Sequence, residues 1–410
     1  MRLSSFIAGR IAFNRSGSFS RFIINIAVVA TAISVAVMIL AIALVNGFQL
    51  TIQQKIFSFW GHMHINQYQP NAGPLTEQIP FDADSAMVQY LKNVKGINTV
   101  NAYATKSAII KAEKDLSGVI FKGIDRHYNW NHLQQFMQSG SGIHFNDSSY
   151  APEIIISSTM AKELQLKVND PLIIYFIQGA GLPPRARKLK VTGIYKTAVE
   201  EYDKTYVIGD LELIRKLNNW PAGSIGGYEI FVDDYRKINT IAEEAVNGVP
   251  DKLFVRSIQD IYPNIFDWLE LQNKNEVIIL IIMTIVAVIN MITAILILIL
   301  ERTNMIGILK ALGMRNSRIQ NIFIYQAAYI VLAGLIIGDI LGVGIALLQK
   351  TTGFLKLDEE SYYMSAAAID LHWYQVLIIN MGTFAVCLLI LSVPAMVTRK
   401  ITPVKALQFK

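Results

Sequence analysis

The chain has 410 residues, of which 52% are hydrophobic and only 17% charged, too apolar for a soluble protein with an ordinary polar surface. Its formal net charge of +6 is concentrated in short segments beside apolar stretches, which argues against the clustered basic surface of a nucleic-acid-binding domain. The single cysteine, Cys387, excludes an intramolecular disulfide and lies within an apolar stretch, where it reads as a small packing residue.

Residues 1–21 carry Arg2, Arg10, Arg15 and Arg21 and no acid. Phe22 to Val45 is the first of four nearly uncharged stretches of about twenty or more residues, each long enough for a hydrocarbon core of roughly 30 Å. Ala41-Ile42-Ala43 mimics a signal-peptidase site, but the stretch far exceeds the roughly 7–15 residues of a signal core, so 22–48 is expected to be a retained span.

Residues 49–274 read as mixed α/β. Strand-like runs are expected at His62 to Gln67, Ser107 to Lys111, Gly118 to Ile124, Glu153 to Ile156, Leu172 to Gln178, Lys188 to Tyr195, Thr205 to Ile208 and Glu229 to Val232. Helical spacing occurs at Asp84 to Val94, Ser158 to Leu166, Asp210 to Leu217 and Tyr235 to Val246. The irregular alternation suggests two small subdomains, and Gln49 to Phe59 and Ile265 to Lys274 lack breakers and are expected to form helical stalks.

Further along lie a span at 275–300, a basic loop at 301–318, a span at 319–349, a short outer loop at 350–371, a span at 372–398 and a tail at 399–410. The N-terminal segment, the 301–318 loop and the tail carry net charges of +4, +3 and +4, while the rest of the chain sums to −5. The positive-inside rule therefore puts both termini and the loop in the cytoplasm and the large domain outside it.

The third span carries Gly334, Gly338 and Gly342 on one helical face, which suits close helix packing, static or sliding. Asp339 is an acid within that span, with Asn290 or a water-filled gap as candidate partners; packing and a proton or conformational role both stand. Gln178 to Arg187, with Pro183 and Pro184 at its tip, is expected to be a protruding loop.

Two regions resemble the lipoprotein-releasing (Lol-type) ABC transporter permeases, within the MacB-like and FtsX-like permease superfamily. One is Val45-Asn46-Gly47-Phe48 with Ile56 to His64; the other covers Asn273 to Phe409, with Glu301 to Gly313 similar to the family's cytoplasmic motif and Thr402 to Leu407 to its ending. Lys190 to Asp210, with Gly193 and Glu201-Tyr202-Asp203, also looks like the Lol-type outer domain.

The resemblance implies an inner-membrane protein of four transmembrane α-helices, with a large mixed α/β extracytoplasmic domain inserted between helices 1 and 2. It also implies a cytoplasmic ABC ATPase dimer docked on the 301–318 loop. Glu301, Arg302, Ile306, Ile308, Leu309, Lys310, Ala311 and Gly313 would carry the coupling. The residues themselves equally suit a basic, lipid-contacting turn.

A second permease copy or relative, membrane lipoproteins and a periplasmic carrier are the other partners implied. Asn46, Phe48, Ile52, Ile56 and Phe59 would line a cavity between two permeases, or else pack within the bundle. Gln178, Pro183, Pro184, Arg185 and Arg187 resemble the hook that holds the carrier, or form an ordinary hairpin loop. MacB-like export and FtsX-like control of cell-wall hydrolases are the rival readings.

No phosphate-binding Gly-x-x-x-x-Gly-Lys-Ser/Thr loop occurs, so ATP and Mg are expected to be used by a separate ATPase subunit, with no cofactor on this chain. The six histidines form no convincing metal set, and His62 and His64 suit one face of a strand better than a ligand pair. No second intramembrane aspartate accompanies Asp339 as an aspartyl protease requires.

Overall fold

The computed structural model describes residues 19–69, 78–111, 116–146, 149–179, 181–358 and 362–395. Arg2, Arg10, Arg15, Ala180 and everything from residue 396 on, including the Thr402 to Leu407 ending, lie outside the described residues. The chain divides into two compact units. One comprises residues 1–50, 268–356 and 366–410; the other comprises 51–267 and 357–365.

In chain order the helices are α1 (Phe19–Trp60), α2 (Ser85–Asn93), α3 (Asn131–Gln134), α4 (Ser158–Glu163), α5 (Glu200–Thr205), α6 (Leu211–Asn218), α7 (Ile238–Val246), α8 (Ile258–Ile261), α9 (Pro263–Glu301), α10 (Thr303–Ala311), α11 (Asn316–Thr352) and α12 (Trp373–Ala395). The strands are β1 (Met63–Gln67), β2 (Phe81–Asp82), β3 (Ile97–Lys111), β4 (Leu116–Ile124), β5 (Met137–Gly140), β6 (Glu153–Ser157), β7 (Pro171–Phe176), β8 (Arg185–Tyr195), β9 (Tyr206–Asp210), β10 (Ser224–Ile225), β11 (Gly227–Val232) and β12 (Leu253–Ser257).

The first unit is helical. Among the described residues, α1, α9, α11 and α12 are long and apolar enough to cross a membrane. Burial of Val35, Ile39, Met291, Ile295, Phe323 and Leu391 ties them into one core. On α9 the residues Ile278, Ile281, Ile285 and Ile289 are about half exposed, a face that water does not tolerate but hydrocarbon or a neighbouring helix does. α1 runs unbroken from Phe19 to Trp60 and α9 starts at Pro263, so each helix is much longer than its expected span.

The second unit is built on one ten-stranded mixed sheet, which corrects the expected pair of subdomains. Six strands close on themselves: β3 pairs with β4, β4 with β9, β9 with β6, β6 with β8, β8 with β7, and β7 with β3 again. Two pairings, β4–β9 and β6–β8, are parallel. The long β3 makes this possible, since its start pairs with β11 and its end with β7 along the same edge. Beyond β11 the sheet continues through β1 to β12.

Inside the closed strands, Ile110, Phe121, Ile154, Ile156, Ile174, Phe176, Val191 and Val207 are fully buried. Phe121 and Phe176 meet edge to face at 5.2 Å, and Gly209 on β9 leaves the room that the Phe121 ring fills. The predicted strands shift by one to three residues at most ends, with β3 beginning at Ile97, ten residues before the expected start. Short-range capping sets several helices: Asp84 accepts from the amides of Ala86 and Met87, and Ser257 and Asp260 form a reciprocal capping box on α8.

Candidate functional site

The last turn of α1 enters a dense polar and aromatic socket in the second unit. Gly61, at φ +72°, ends the helix, and a side chain there would crowd the Ile230 carbonyl at 2.9 Å. The Phe59 carbonyl, left free at the helix end, accepts a hydrogen bond from Lys122 Nζ at 2.5 Å. That ammonium also lies 2.6 Å from Glu229 Oε2, and both side chains are essentially sealed from solvent at 1% and 0% exposure. Burial pulls the Lys122 pKa down while the Glu229 carboxylate opposes it.

Aromatic rings wall the socket. Lys122 Nζ sits 4.6 Å from the Trp60 ring and 4.9 Å from that of Phe59. Phe59 in turn packs on Tyr202 at 5.1 Å, Tyr206 at 5.4 Å and Tyr195 at 5.8 Å. His64 bridges the Trp60 carbonyl at 2.7 Å and the Tyr103 hydroxyl at 3.2 Å. Both contacts fit a neutral ring that donates from Nε2 and accepts at Nδ1, and burial lowers its pKa to about 3.

Beside the socket, the Asp203 carboxylate accepts from Thr197 N at 3.0 Å, Thr197 Oγ1 at 2.7 Å and Ala198 N at 3.0 Å. Burial raises its pKa, and these hydrogen bonds act the other way. Asp203, of the Glu201-Tyr202-Asp203 sequence, thus holds the turn into α5.

The 301–318 loop is largely helical. α10 lies between α9 and α11 and stops at Leu312 and Gly313, the latter at φ +83°. The residues expected to carry the coupling do not lie on one face. Ile306 is fully buried in the helical core with Met305 and Leu309 against it, whereas Ile308 is 51% and Leu312 79% exposed. Asn304, Ile308 and Ala311 share the outward face of the helix at helical spacing, and Leu312 at its C-terminal end is exposed as well. Glu301 and Gly313 are exposed, and Arg302 and Lys310 half-buried.

The cavity candidates divide as well. Ile52, Ile56 and Phe59 are 1–2% exposed within the chain itself, so they line no open cavity. Asn46 and Phe48 remain partly exposed. Asn46 Nδ2 has no hydrogen-bond partner among the described residues, and Phe48 meets Trp268 edge-on at 5.2 Å. Gly47 lets the backbone of Ala368 approach more closely than any side chain would permit.

The connection from β7 to β8 ends at Pro184, since Phe176 pairs with Arg185 and Ile174 with Arg187, so Arg185 to Arg187 belong to the strand rather than to the expected loop. Leu182, Pro183 and Pro184 are exposed at its tip. Arg185 does not reach outward: its Nη1 donates to the Leu217 carbonyl at the end of α6 at 2.8 Å, and Arg187 Nη1 donates to Ala186 O at 2.8 Å. Gln178 is half-buried, with Nε2 unpaired among the described residues.

In the helical unit, a Cβ on Gly334 would meet Thr31 at 2.7 Å, one on Gly338 Ala32 O and Val35 at 2.8 Å, and one on Gly342 Ala36 Cα at 3.0 Å. The three glycines therefore form the contact of α11 with α1. Asp339 accepts a hydrogen bond from Asn380 Nδ2 on α12 at 2.7 Å, so its partner is Asn380 rather than Asn290. Among the described residues no group of three or more His, Cys, Asp and Glu is placed to hold a metal.

Sequence reading missed the Lys122–Glu229 pair. Its one signal was a lysine inside the apolar run Val119-Ile120-Phe121-Lys122-Gly123-Ile124, where a strand interior ordinarily holds no charge.

Residues 277–403 match the family of the FtsX-like permease C-terminal region, and residues 26–249 match the MacB-like periplasmic core domain. The lipoprotein-releasing system transmembrane protein LolE of Haemophilus influenzae is 23% identical over 393 residues, covering 92% of each chain. The corresponding LolC of Neisseria meningitidis is 23% identical over 414 residues, covering 97% of each. The crystal structure of the periplasmic region of MacB from Actinobacillus actinomycetemcomitans aligns with a TM-score of 0.33 and 12% identity, covering 50% of this chain and 91% of that one. Since the core-domain match alone spans more than half of the 410 residues, the chain belongs to the MacB-like family, as a permease that joins a MacB-like periplasmic core domain to an FtsX-like C-terminal region.

Proposed function

We propose that the chain is the permease subunit of an ABC-type machine that frees lipoproteins from the outer leaflet of the inner membrane; its LolC and LolE relatives are named as transmembrane proteins of a lipoprotein-releasing system. Both termini and α10 face the cytoplasm, and the sheet unit lies in the periplasm. A cytoplasmic ATPase pair docks on the exposed face of α10, and ATP is hydrolysed there rather than on this chain.

The observation that carries the reading is the division of α10. Ile306 fastens the helix to the bundle core while Ile308 and Leu312 stand exposed on the other side. A load applied to the outward face thus reaches the membrane helices through a packed residue. The chain works as a transmitter of movement between two permease copies, with Asn46 and Phe48 facing the lipoprotein and the Leu182 to Pro184 tip meeting a soluble carrier.

Gentle purification in nanodiscs followed by mass spectrometry tests this. An ATPase together with acylated lipoproteins supports lipoprotein release; an ATPase with a cell-wall hydrolase and no lipoprotein replaces it with the signalling role.

A further inference from the structure

The buried charges at the end of α1 have no part in docking, cargo or carrier contact, yet they occupy the point where that helix joins the sheet. Lys122 stands on β4 and Glu229 on β11, and these two strands flank β3 on opposite edges. The pair therefore spans three strands, and the same ammonium grips the Phe59 carbonyl of α1 at 2.5 Å.

A helix C-terminus carries partial negative charge, so a cation there is held by the helix end as well as by the carboxylate. Asn101 Nδ2 reaches Glu229 Oε1 at 3.4 Å, and Asn101 Oδ1 receives Asn129 N at 3.3 Å, which extends the grip into the loop after β4. Apolar contacts resist sliding weakly because they have no direction. A desolvated ion pair that also caps a helix has one fixed geometry, and well-packed apolar residues of similar volume would serve stability as well or better.

We propose that Lys122 and Glu229 are positioning residues for force transmission: they form the stiff joint that makes the sheet unit follow α1 when the helix is displaced. The stiffness of the joint stands on the geometry alone, whereas its use in transport rests on the lipoprotein-release reading.

The test uses the full chain with its ATPase in nanodiscs, comparing the native pair with the apolar double variant Lys122→Met/Glu229→Leu. The double variant leaves no lone buried charge, and the polar double variant Lys122→Gln/Glu229→Gln, which leaves none either, serves as a second variant if it fails to fold. In one arm, spin labels are placed at Gln54→Cys on α1 and Lys188→Cys on β8, both exposed, with Cys387→Ala removing the native thiol. The native pair should give one narrow distance distribution that ATP leaves unchanged, and the variant a distribution at least twice as wide. Equal widths overturn the joint.

In the other arm the variant should hydrolyse ATP within about twofold of the native rate, while lipoprotein released per ATP falls roughly tenfold. Unchanged release per ATP overturns the transmission role. If the native protein releases no lipoprotein, the cargo reading and the transport role fail together, and the label widths still judge the joint.

Discussion

Gly338→Ala offers a sharp test of how α11 packs on α1. The added methyl group would lie 2.8 Å from both Ala32 O and Val35 Cβ, well inside the optimum separation of about 3.5–4.0 Å. The helices must part by several tenths of an ångström, and overpacking of this kind costs about 1–3 kcal/mol. The better helix propensity of alanine offsets up to about 1 kcal/mol of that. Gly344, further along the same helix, supplies the control: nothing lies within 4 Å of its Cβ position, so Gly344→Ala keeps the propensity gain without the clash. The two variants should therefore differ by about 1–3 kcal/mol, with Gly338→Ala below the native protein or level with it and Gly344→Ala level or above. Cys387, the one cysteine of the chain and buried, reports unfolding through a thiol-reactive dye during a thermal ramp in detergent. Equal melting temperatures for the two variants would refute the close contact of α11 with α1.

Three more outcomes are expected. Ile308→Asp and Leu312→Asp should abolish ATPase co-purification without lowering the melting temperature, whereas Ile306→Ala should lower it by about 2–5 kcal/mol worth of stability, the cost of a buried isoleucine truncation. His64 has a folded pKa of about 3 against 6.5, so the unfolded chain binds the proton first; the stability it contributes is full above pH 6.5 and is lost towards pH 3 by up to about 1.4 kcal/mol per pH unit. Melting curves from pH 7 to pH 4.5 should show His64→Gln losing less than the native protein. Asp203→Ala strands the two amides and one hydroxyl that the carboxylate accepts from and should cost about 2–4 kcal/mol, read by the same dye assay.

Much of the architecture was legible because its signals are long and repetitive. Twenty apolar residues in a row have few alternatives to a membrane helix, and the glycines at 334, 338 and 342 announced their shared face by spacing alone. Less was legible where a residue's role depends on what the fold brings beside it. Ile306 and Ile308 are chemically alike and two positions apart, yet a helix of 3.6 residues per turn buries one and exposes the other. Ile52, Ile56 and Phe59 looked like a cavity face because helical periodicity reports an apolar stripe without saying what covers it. The single sheet escaped notice because β3 pairs along one edge with strands more than 60 and more than 120 residues away in sequence, the first pairing closing six strands and the second extending the sheet beyond them. Asp339 found Asn380 on α12, a partner that no local spacing indicates.

The most direct test of the account is lipoprotein release itself. The chain is reconstituted in proteoliposomes with its ATPase and a tri-acylated lipoprotein, and soluble carrier and ATP are added from their respective sides. The account predicts ATP-dependent transfer of the acylated protein to the carrier, lost when Leu312 is replaced by Asp. ATP hydrolysis at full rate with the lipoprotein still in the membrane would contradict it.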